Sequence, residues 1–430
     1  MDGAEQGAGA SLREWLLRPA PRVWCWLSAA TLLAVAVSAA IRSPAGGLDN
    51  AFVVKAADAL LAGHSPYADK RFLYLPSAVL MAVPEALLPE PLLRWAAPLG
   101  TTGLVLAGWW CALRIFAVPS RSRLAVLGFL GLALLFRPYG NLVLLSNWTC
   151  VSAAALPAAL LLAQRGRWPA AGLVVGVAVA CKPMLVPLAL LFVFARQWRA
   201  LAAMGLVPAV TSLLGALLMP SPLLFVTKTV PFLLKGQDSF ALPWDASPVA
   251  IGPRLGLPQP VALALAAAGA LAGLWCARRR WHRDGPGPGS DSGYRPVSGL
   301  DVDEGQRLAE TASMVMLAAF LVSRPSFDHY LLVVLPLLLA SGLRPDSAPR
   351  SPWFWVSLVP QALAIPFVSG GHTRAFKDCF TLCALAGTLM WRCARPGRVI
   401  LGPVTTAGSP PRTEPECAAT PAEPASRTAF

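Results

Sequence analysis

Charged residues are scarce in this chain of 430 residues, of which 13% are charged and 56% are hydrophobic. Apolar runs repeat from Val23 to Met390, with only short polar interruptions between them. This composition excludes an ordinary soluble protein and predicts a polytopic membrane protein. The sequence has no short internal repeat and no clear half-to-half symmetry, which disfavours a secondary transporter.

The sequence also lacks the spacings that build disulfide frameworks or hold metal ions. Its nine cysteines are odd in number, are scattered mostly through apolar runs, and include no CxxC pair. Cys379 and Cys383 lie one helical turn apart, which is typical of small packing residues. We therefore expect no disulfide framework, no metal and no other cofactor.

A basic excess remains, with 36 Lys and Arg against 22 Asp and Glu. The arginines stand in short loops between apolar runs, for example at 121–123, 196–199, 278–283 and 392–398. This pattern is typical of cytoplasmic loops, so the excess indicates topology and contact with anionic membrane lipid. No motif for DNA or RNA binding occurs, and we expect no nucleic-acid partner.

Hydropathy and loop charge together predict an all-α bundle of about 12 transmembrane helices in residues 23–395. Residues 1–22, which contain three arginines, are predicted to be cytoplasmic. Residues 396–430, rich in Pro, Thr, Ala and Glu, are predicted to form a disordered cytoplasmic tail. The predicted spans are 23–41, 91–113, 124–136, 141–163, 168–181, 183–195, 201–219, 258–276, 311–323, 330–342, 353–368 and 378–391.

Two segments near the first span are predicted not to cross the membrane. Residues 75–88 contain two prolines and a glutamate, which indicates a re-entrant segment or a short helix buried in protein. Residues 50–63 have apolar side chains at helical spacing with a lysine and an aspartate between them, as in a helix on the outer interface. This threading brings the polar clusters to one side of the membrane, where they suggest an active site.

Asp49 follows the first predicted span. It could be a solvated loop acid or the N-cap of the interfacial helix. It could equally be a general base that takes a proton from a sugar hydroxyl. One carboxylate suffices for an inverting displacement at an anomeric carbon, whereas a retaining mechanism needs a second carboxylate nearby.

Lys182 lies between two short apolar stretches, at the predicted outward tip of a helical hairpin. It could snorkel to the lipid headgroups. Alternatively, it could hold the phosphate of a lipid-linked donor as a compact cation. Arg254 and Arg324 stand in predicted outward loops and are candidate helpers, because a guanidinium binds two phosphate oxygens at once.

Other polar residues of the predicted outer face are candidates for binding sugar or acceptor hydroxyls. They are Asn141, Asn147, Asp238, Asp328 and His329. The amides could instead cap helices, and the aromatic loop around Asp238 could be an interfacial belt. No partner for His329 stands at metal-ligand spacing, which favours a hydrogen-bonding role.

Longer segments around these residues resemble glycosyltransferase family 87, within the GT-C superfamily. The matching segments are AADALLAGHSPYADKRFLYLPS, which contains Tyr74, and AGLVVGVAVACKPMLVPLALLFVFARQWRAL, which contains Lys182. The second segment, with FVTKTVPFLLKGQDSF after it, is most similar to the family's α-(1→3)-arabinofuranosyltransferases, which branch cell-wall arabinan. The resemblance covers about residues 24–395.

This resemblance implies a GT-C-like fold in the cell membrane and an active site on the extracytoplasmic side. It implies a decaprenyl-phosphate-linked sugar donor, an arabinan or related glycan acceptor, an early acid as catalytic base and a lysine on the donor phosphate. The base carries onto Asp49 and the lysine onto Lys182, and Tyr74 joins the candidate sugar-binding residues.

The sequence departs from the family pattern at two places. Residues 74–76 read YLP where the family has Tyr-Pro-Pro, and Asn50 follows the acid where a second acid is expected. The departures leave the donor sugar open between arabinofuranose and mannose. A lipid-linked-sugar flippase and a non-catalytic scaffold in a cell-wall complex are the alternatives outside the transferase class.

Overall fold

The computed structural model describes residues 11–43, 45–69, 71–235, 241–283, 302–362 and 371–394. Within those ranges helices are the only regular secondary-structure elements. Two isolated β-bridges, Pro19 with Ser122 and Phe136 with Ala362, are the only strand-like pairings there. The prediction of an all-α protein is confirmed.

The α-helices are numbered in chain order from Arg22 onward, and several are flanked by short 3-10 segments. They are α1 (Arg22–Arg42), α2 (Leu48–Leu61), α3 (Pro76–Ala86), α4 (Glu90–Ile115), α5 (Arg123–Leu135), α6 (Arg137–Leu145), α7 (Thr149–Gln164), α8 (Trp168–Cys181), α9 (Ala189–Phe194), α10 (Trp198–Leu218), α11 (Val230–Lys235), α12 (Pro248–Arg254), α13 (Gln259–Arg283), α14 (Val302–Val322), α15 (Leu335–Ala340), α16 (Pro352–Leu358) and α17 (Gly371–Ala394). The 3-10 helices used below are Pro183–Leu188, Leu242–Trp244, Asp328–Val333 and Val359–Gln361.

Four helices, α1, α4, α10 and α13, are long and apolar enough to cross a membrane. Each coincides with a predicted span, because a continuous apolar run of about 20 residues is a strong local signal. In α10 only 11% of the most apolar window is buried inside the protein, so most of its surface is available to lipid. These helices give the multi-pass membrane protein that the composition predicts.

The number of long spans differs from the predicted twelve. By length and composition the described residues contain four, or five if α6 and α7 form one broken span. Their axes differ by 117°, so the span predicted at 141–163 is either a broken span or a re-entrant pair of helices. The break occurs because Ser146 ends α6 in the left-handed conformation, with φ of 44°.

The segment predicted to span at 330–342 also differs. It consists of the 3-10 helix Asp328–Val333 followed by the six-residue α15. The predicted span at 353–368 begins with the seven-residue α16 and a 3-10 turn, and its last residues lie outside the described ranges. Shorter helices of this kind need protein neighbours, since they leave backbone groups that lipid cannot satisfy.

The segment predicted to be short and buried is the 11-residue α3. At 1.5 Å per residue such a helix is about 17 Å long, too short to cross a bilayer. It packs against α2 and α10. Gly215 permits the close approach of α10, since a Cβ there would lie 2.7 Å from the carbonyl oxygen of Pro76.

The site described below forms where four chain segments come together. They are the start of α2, the turn between α6 and α7, the end of α8 and the 3-10 helix Asp328–Val333. The packing of α7 against α8 and against that 3-10 helix brings the last three of these together. Contacts of α2 with α3 and α6 bring the first to the same place.

Candidate active site

Asp49 lies in the first turn of α2, beyond the N-cap residue Gly47. Of the alternatives for Asp49, the loop acid and the N-cap therefore do not hold, because the residue lies two positions beyond the N-cap. A carboxylate in the first turn is favoured by the helix dipole. Gly47 has φ of 105° and ψ of 138°, and a Cβ on it would lie 2.4 Å from the Leu145 carbonyl oxygen. Glycine is required there, and it seats the start of α2 against the end of α6.

Asn147, in the turn between α6 and α7, connects Asp49 to Lys182. Its Nδ2 donates to Asp49 Oδ2 at 2.5 Å, and its Oδ1 accepts from Lys182 Nζ at 2.7 Å. The carboxylate can only accept and the ammonium can only donate, so the orientation of the amide is determined by its partners. The predicted base and the predicted phosphate ligand thus share one bridging side chain.

Lys182 follows the last residue of α8 in extended conformation, with φ of −150° and ψ of 121°. The cause is Pro183, which disfavours helical backbone in the residue before it. The Lys182 ammonium also donates to Thr149 Oγ1 at 3.0 Å. It lies 5.2 Å from the ring centre of Tyr330 and 5.9 Å from that of Tyr74.

The electrostatics of Lys182 suit it to an anionic ligand. Burial lowers the pKa of the ammonium to about 8, although the nearby charge of Asp49 acts to raise it. Within the described ranges its hydrogen-bond acceptors are neutral oxygens, and no carboxylate forms a salt bridge with it. A half-buried cation without a carboxylate in contact is a favourable place for a phosphate.

A second amide bridge lies beside the first and was missed by sequence reasoning. Asn50 Oδ1 accepts from Trp148 Nε1 at 2.8 Å, and Asn50 Nδ2 donates to Glu85 Oε2 at 2.8 Å. Burial raises the pKa of the Glu85 carboxyl. The two bridges attach consecutive residues of α2 to the turn before α7, which fixes the carboxylate of Asp49 relative to Lys182.

Asp328 centres a second polar cluster, at the start of its 3-10 helix. Its Oδ2 accepts from Asn141 Nδ2 and from Arg374, each at 2.6 Å, and its Oδ1 accepts from the His329 backbone at 2.8 Å. Burial alone would raise the pKa of Asp328, but hydrogen bonds from His329 and the charge of Arg374 hold it well below its usual range. The predicted residues Asn141, Asp328 and His329 therefore come together, and Arg374 is an addition.

Arg374 extends this cluster toward the surface. Its Nε lies 3.5 Å from Asp378, and its guanidinium lies 5.4 Å from the ring centre of Trp244. Asp378 also accepts from Gln361 at 2.8 Å. None of these residues stands in a recognisable motif, so only the fold could reveal them.

The arginines predicted to help Lys182 are engaged elsewhere. Arg324 Nε lies 3.7 Å from Asp245, whose other oxygen accepts from the backbone of Ser247 and Ser326. Arg254 donates to the carbonyl of Leu242. Across the described ranges no contact links either arginine to Lys182. Asp238, the remaining predicted residue, lies outside the described residues.

Tyr330 joins the two clusters, and Tyr74 lies beside Lys182 in the first. Tyr74 is half-buried between Lys182 and Trp148. The centre of its ring lies 6.4 Å from the ring centre of Trp148. The Tyr330 ring packs edge-on against His329, at 5.2 Å. Burial and the charges of Asp49 and Asp245 raise the pKa of the Tyr330 phenol, which stays protonated and able to donate a hydrogen bond.

The protein has several membrane-spanning helices, and it holds a carboxylate and an ammonium hydrogen-bonded to one amide. These features define a membrane protein with a polar site suited to group transfer. Comparison with known proteins gives the family. The sequence profile of glycosyltransferase family 87 matches residues 72–289, half of the chain. The protein therefore belongs to glycosyltransferase family 87, as its motifs predict. Asp49 lies before the matched residues, whereas Asn147 and Lys182 lie within them.

Curated relatives carry the name α-(1→3)-arabinofuranosyltransferase. The protein from Mycobacterium tuberculosis (strain CDC 1551 / Oshkosh) is 30% identical over 197 residues, 45% of each chain. The protein from Corynebacterium glutamicum is 29% identical over 182 residues, 40% of this chain and 41% of its own. The matches thus span less than half the length of these relatives. No solved structure matches the chain.

Proposed function

We propose that this protein transfers arabinofuranose from decaprenyl-phosphate-arabinose to a cell-wall arabinan, forming an α-(1→3) branch. The observation that carries the proposal is the joint hydrogen bonding of Asp49 and Lys182 to Asn147. The names of the family-87 relatives support arabinofuranose as the sugar. Polyprenyl phosphate as the carrier is supported by the half-buried ammonium of Lys182, which has no carboxylate in contact among the described residues.

In the proposed reaction, an acceptor hydroxyl oxygen attacks the anomeric carbon of the donor while the bond from that carbon to the phosphate oxygen breaks. Asp49 takes the hydroxyl proton as general base. The bonding electrons leave with the lipid phosphate, whose developing charge Lys182 stabilises. The single base predicts a displacement with inversion at the anomeric carbon.

Asn147 is the positioning residue in this scheme. Its amide holds the carboxylate and the ammonium on either side of one rigid group, so base and phosphate ligand are oriented before the substrates bind. Thr149 supports the same arrangement by accepting a hydrogen bond from the Lys182 ammonium. Asn50 supports it by accepting one from Trp148, which attaches the start of α2 to the turn before α7. The family pattern expects a second acid at position 50. Here that position is the amide Asn50, whose Nδ2 donates to Glu85.

We also propose that the site faces the extracytoplasmic side of the cell membrane, in a GT-C-like bundle of about twelve spans. The course of α14 supports this orientation, since its 21 residues extend about 30 Å. In its N-terminal half Glu310 pairs with Arg280 of the basic segment predicted to be cytoplasmic. The site residues Asp328 and Tyr330 follow its other end.

Orientation is tested by labelling single cysteines, placed at Lys55 or Arg279, in a background without native cysteines. A membrane-impermeant maleimide added to intact cells is expected to label position 55, and to label position 279 only after permeabilisation. The reverse pattern would reject the proposed orientation.

Activity is tested with purified protein, synthetic polyprenyl-phosphoryl-arabinofuranose and an oligo-arabinofuranoside acceptor. A new α-(1→3) linkage is the expected product, and Asp49→Asn should abolish it. Transfer from polyprenyl-phosphoryl-mannose instead would retain the reaction type and reject the sugar. Movement of labelled lipid between leaflets without transfer would favour a flippase.

A further inference from the structure

The ammonium of Lys182 lies between two aromatic rings as well as two polar side chains. The ring of Tyr330 is the nearer, at 5.2 Å from Nζ, and the ring of Tyr74 is at 5.9 Å. Both distances lie within the range in which a ring face attracts a cation. Tyr74 comes from the segment before α3 and Tyr330 from the 3-10 helix after α14, so the fold brings them to the lysine from opposite directions along the chain.

The surroundings of Tyr330 fix its ring in place. Phe320 and Phe327 pack against it at centroid distances of 5.5 and 5.7 Å, and His329 packs edge-on at 5.2 Å. His329 in turn lies against Asp328, the centre of the second polar cluster. A ring packed on several sides cannot turn away from the lysine, so its face is a permanent part of the cation's environment.

Such an environment matters because a buried ammonium tends to lose its proton. The titratable groups that face Lys182 are Asp49 from α2, Cys150 from α7, Tyr74 and Tyr330. Asp49 is separated from the ammonium by the Asn147 amide, and Cys150 and the tyrosines are uncharged at neutral pH. The face of an aromatic ring attracts a cation without neutralising it, whereas a carboxylate in contact would compete with a phosphate for the ammonium.

We propose that Tyr330 is a positioning residue for the donor phosphate, whose ring face holds the Lys182 ammonium charged and directed at the leaving group. This inference rests on the proposed function and adds a residue that the predicted site residues did not include. Tyr330 acts through its ring rather than its hydroxyl. It also makes the donor site depend on the Asp328 cluster, through His329.

The test compares Tyr330→Leu, which removes the ring but keeps an apolar side chain, with Tyr330→Phe, which keeps the ring. Transfer is measured against pH and donor concentration, with Phe192→Leu as a control that also removes a buried ring. Phe192 packs on Trp168 rather than on Tyr330 or Tyr74 in the described aromatic pairs. Tyr330→Met is the alternative if the leucine variant does not fold.

For Tyr330→Leu we expect about a tenfold rise in donor KM. We also expect the alkaline limb of the plot of transfer rate against pH to move about half a pH unit lower. Tyr330→Phe and Phe192→Leu should keep the wild-type limb. A Leu variant with unchanged limb and KM would overturn the proposal. A limb that moves higher would overturn it too, since the ring would then act by excluding water.

If neither non-aromatic variant folds, Tyr330→Phe is sufficient to test the proposal. A shifted alkaline limb in this variant would assign the role to the hydroxyl and reject the ring. Lys182→Met, measured alongside, separates this inference from the proposed function. Full transfer by Lys182→Met would reject the role of Lys182 itself. Loss of transfer in Lys182→Met together with a wild-type profile in Tyr330→Leu would reject only Tyr330.

Discussion

Asp49 and Lys182 hydrogen-bond to opposite ends of the same Asn147 amide, the carboxylate to its nitrogen and the ammonium to its oxygen. The two charges are therefore close without forming a direct ion pair. A direct pair would leave neither group available to a substrate, because each would satisfy the other. Separation by an amide leaves the carboxylate able to accept a proton and the ammonium able to meet a phosphate.

Replacement of Asp49 by Asn should lower transfer by about 10²- to 10⁴-fold, the usual contribution of a general base. The amide is nearly isosteric but cannot take the acceptor's proton. The measurement is the rate of sugar transfer by purified variants. Asp58→Asn is the control, because Asp58 lies on the same helix and is exposed. Wild-type transfer by Asp49→Asn would remove this residue from the role of base.

Transfer should fall as pH rises through about 8, where the Lys182 ammonium loses its proton. The sign follows from the lowered pKa, since only the protonated form present below that pH stabilises the leaving phosphate. Lys182→Arg should move this limb well upward, because a guanidinium stays charged above pH 12. A wild-type rate that stays constant to pH 9.5 would contradict the prediction.

Asn147→Ala should lower transfer by about 10- to 100-fold, since hydrogen bonds to charged groups contribute about 1.5–3 kcal/mol each. The loss should become smaller when Asn147→Ala is made in the Asp49→Asn background, because the bridge then has no base to orient and only its bond to Lys182 still counts. A double-mutant cycle on the transfer rate measures this coupling. Additive effects of the two changes would mean that Asn147 acts independently of Asp49.

Gly47→Ala should destabilise the protein more than Gly63→Ala. Both glycines have positive φ, 105° and 73°, so both substitutions carry a backbone cost of about 1–3 kcal/mol. Only at Gly47 does the added Cβ meet an atom, the Leu145 carbonyl oxygen, which adds about 1–3 kcal/mol of overpacking. Thermal unfolding in detergent compares the variants. Equal loss in both would show that the contact with α6 is unimportant.

The long spans and the family could be predicted because their signals are local. Continuous apolar runs located α1, α4 and α10 to within three residues, and they located the start of α13 but not its end. Motifs around Lys182 indicated the family that the matched profile confirms. The break between α6 and α7 was not predicted, because Ser146 in the left-handed conformation leaves no mark in hydropathy.

The candidate site divides in the same way. Asp49 and Lys182 were identifiable as charges at the ends of apolar runs, where a charge is costly and therefore informative. The contacts around them were not, since Tyr330 meets Lys182, Glu85 meets Asn50 and Arg374 meets Asp328 across long sequence separations. The pairing of Arg324 with Asp245 was likewise not predicted, because it depends on packing between distant segments.

The sequence by itself determined that this protein lies in a membrane, belongs to glycosyltransferase family 87 and carries an acid at position 49 and a lysine at position 182, for which we propose a role in lipid-phosphate chemistry. Only the tertiary structure decided that Asn147 joins that acid to that lysine and that Tyr330 faces the ammonium. The reason is physical, because hydropathy and proline act on neighbouring residues and can be read along the chain. Hydrogen bonds and ring contacts between distant residues depend on how the helices pack, and they leave no periodic pattern behind.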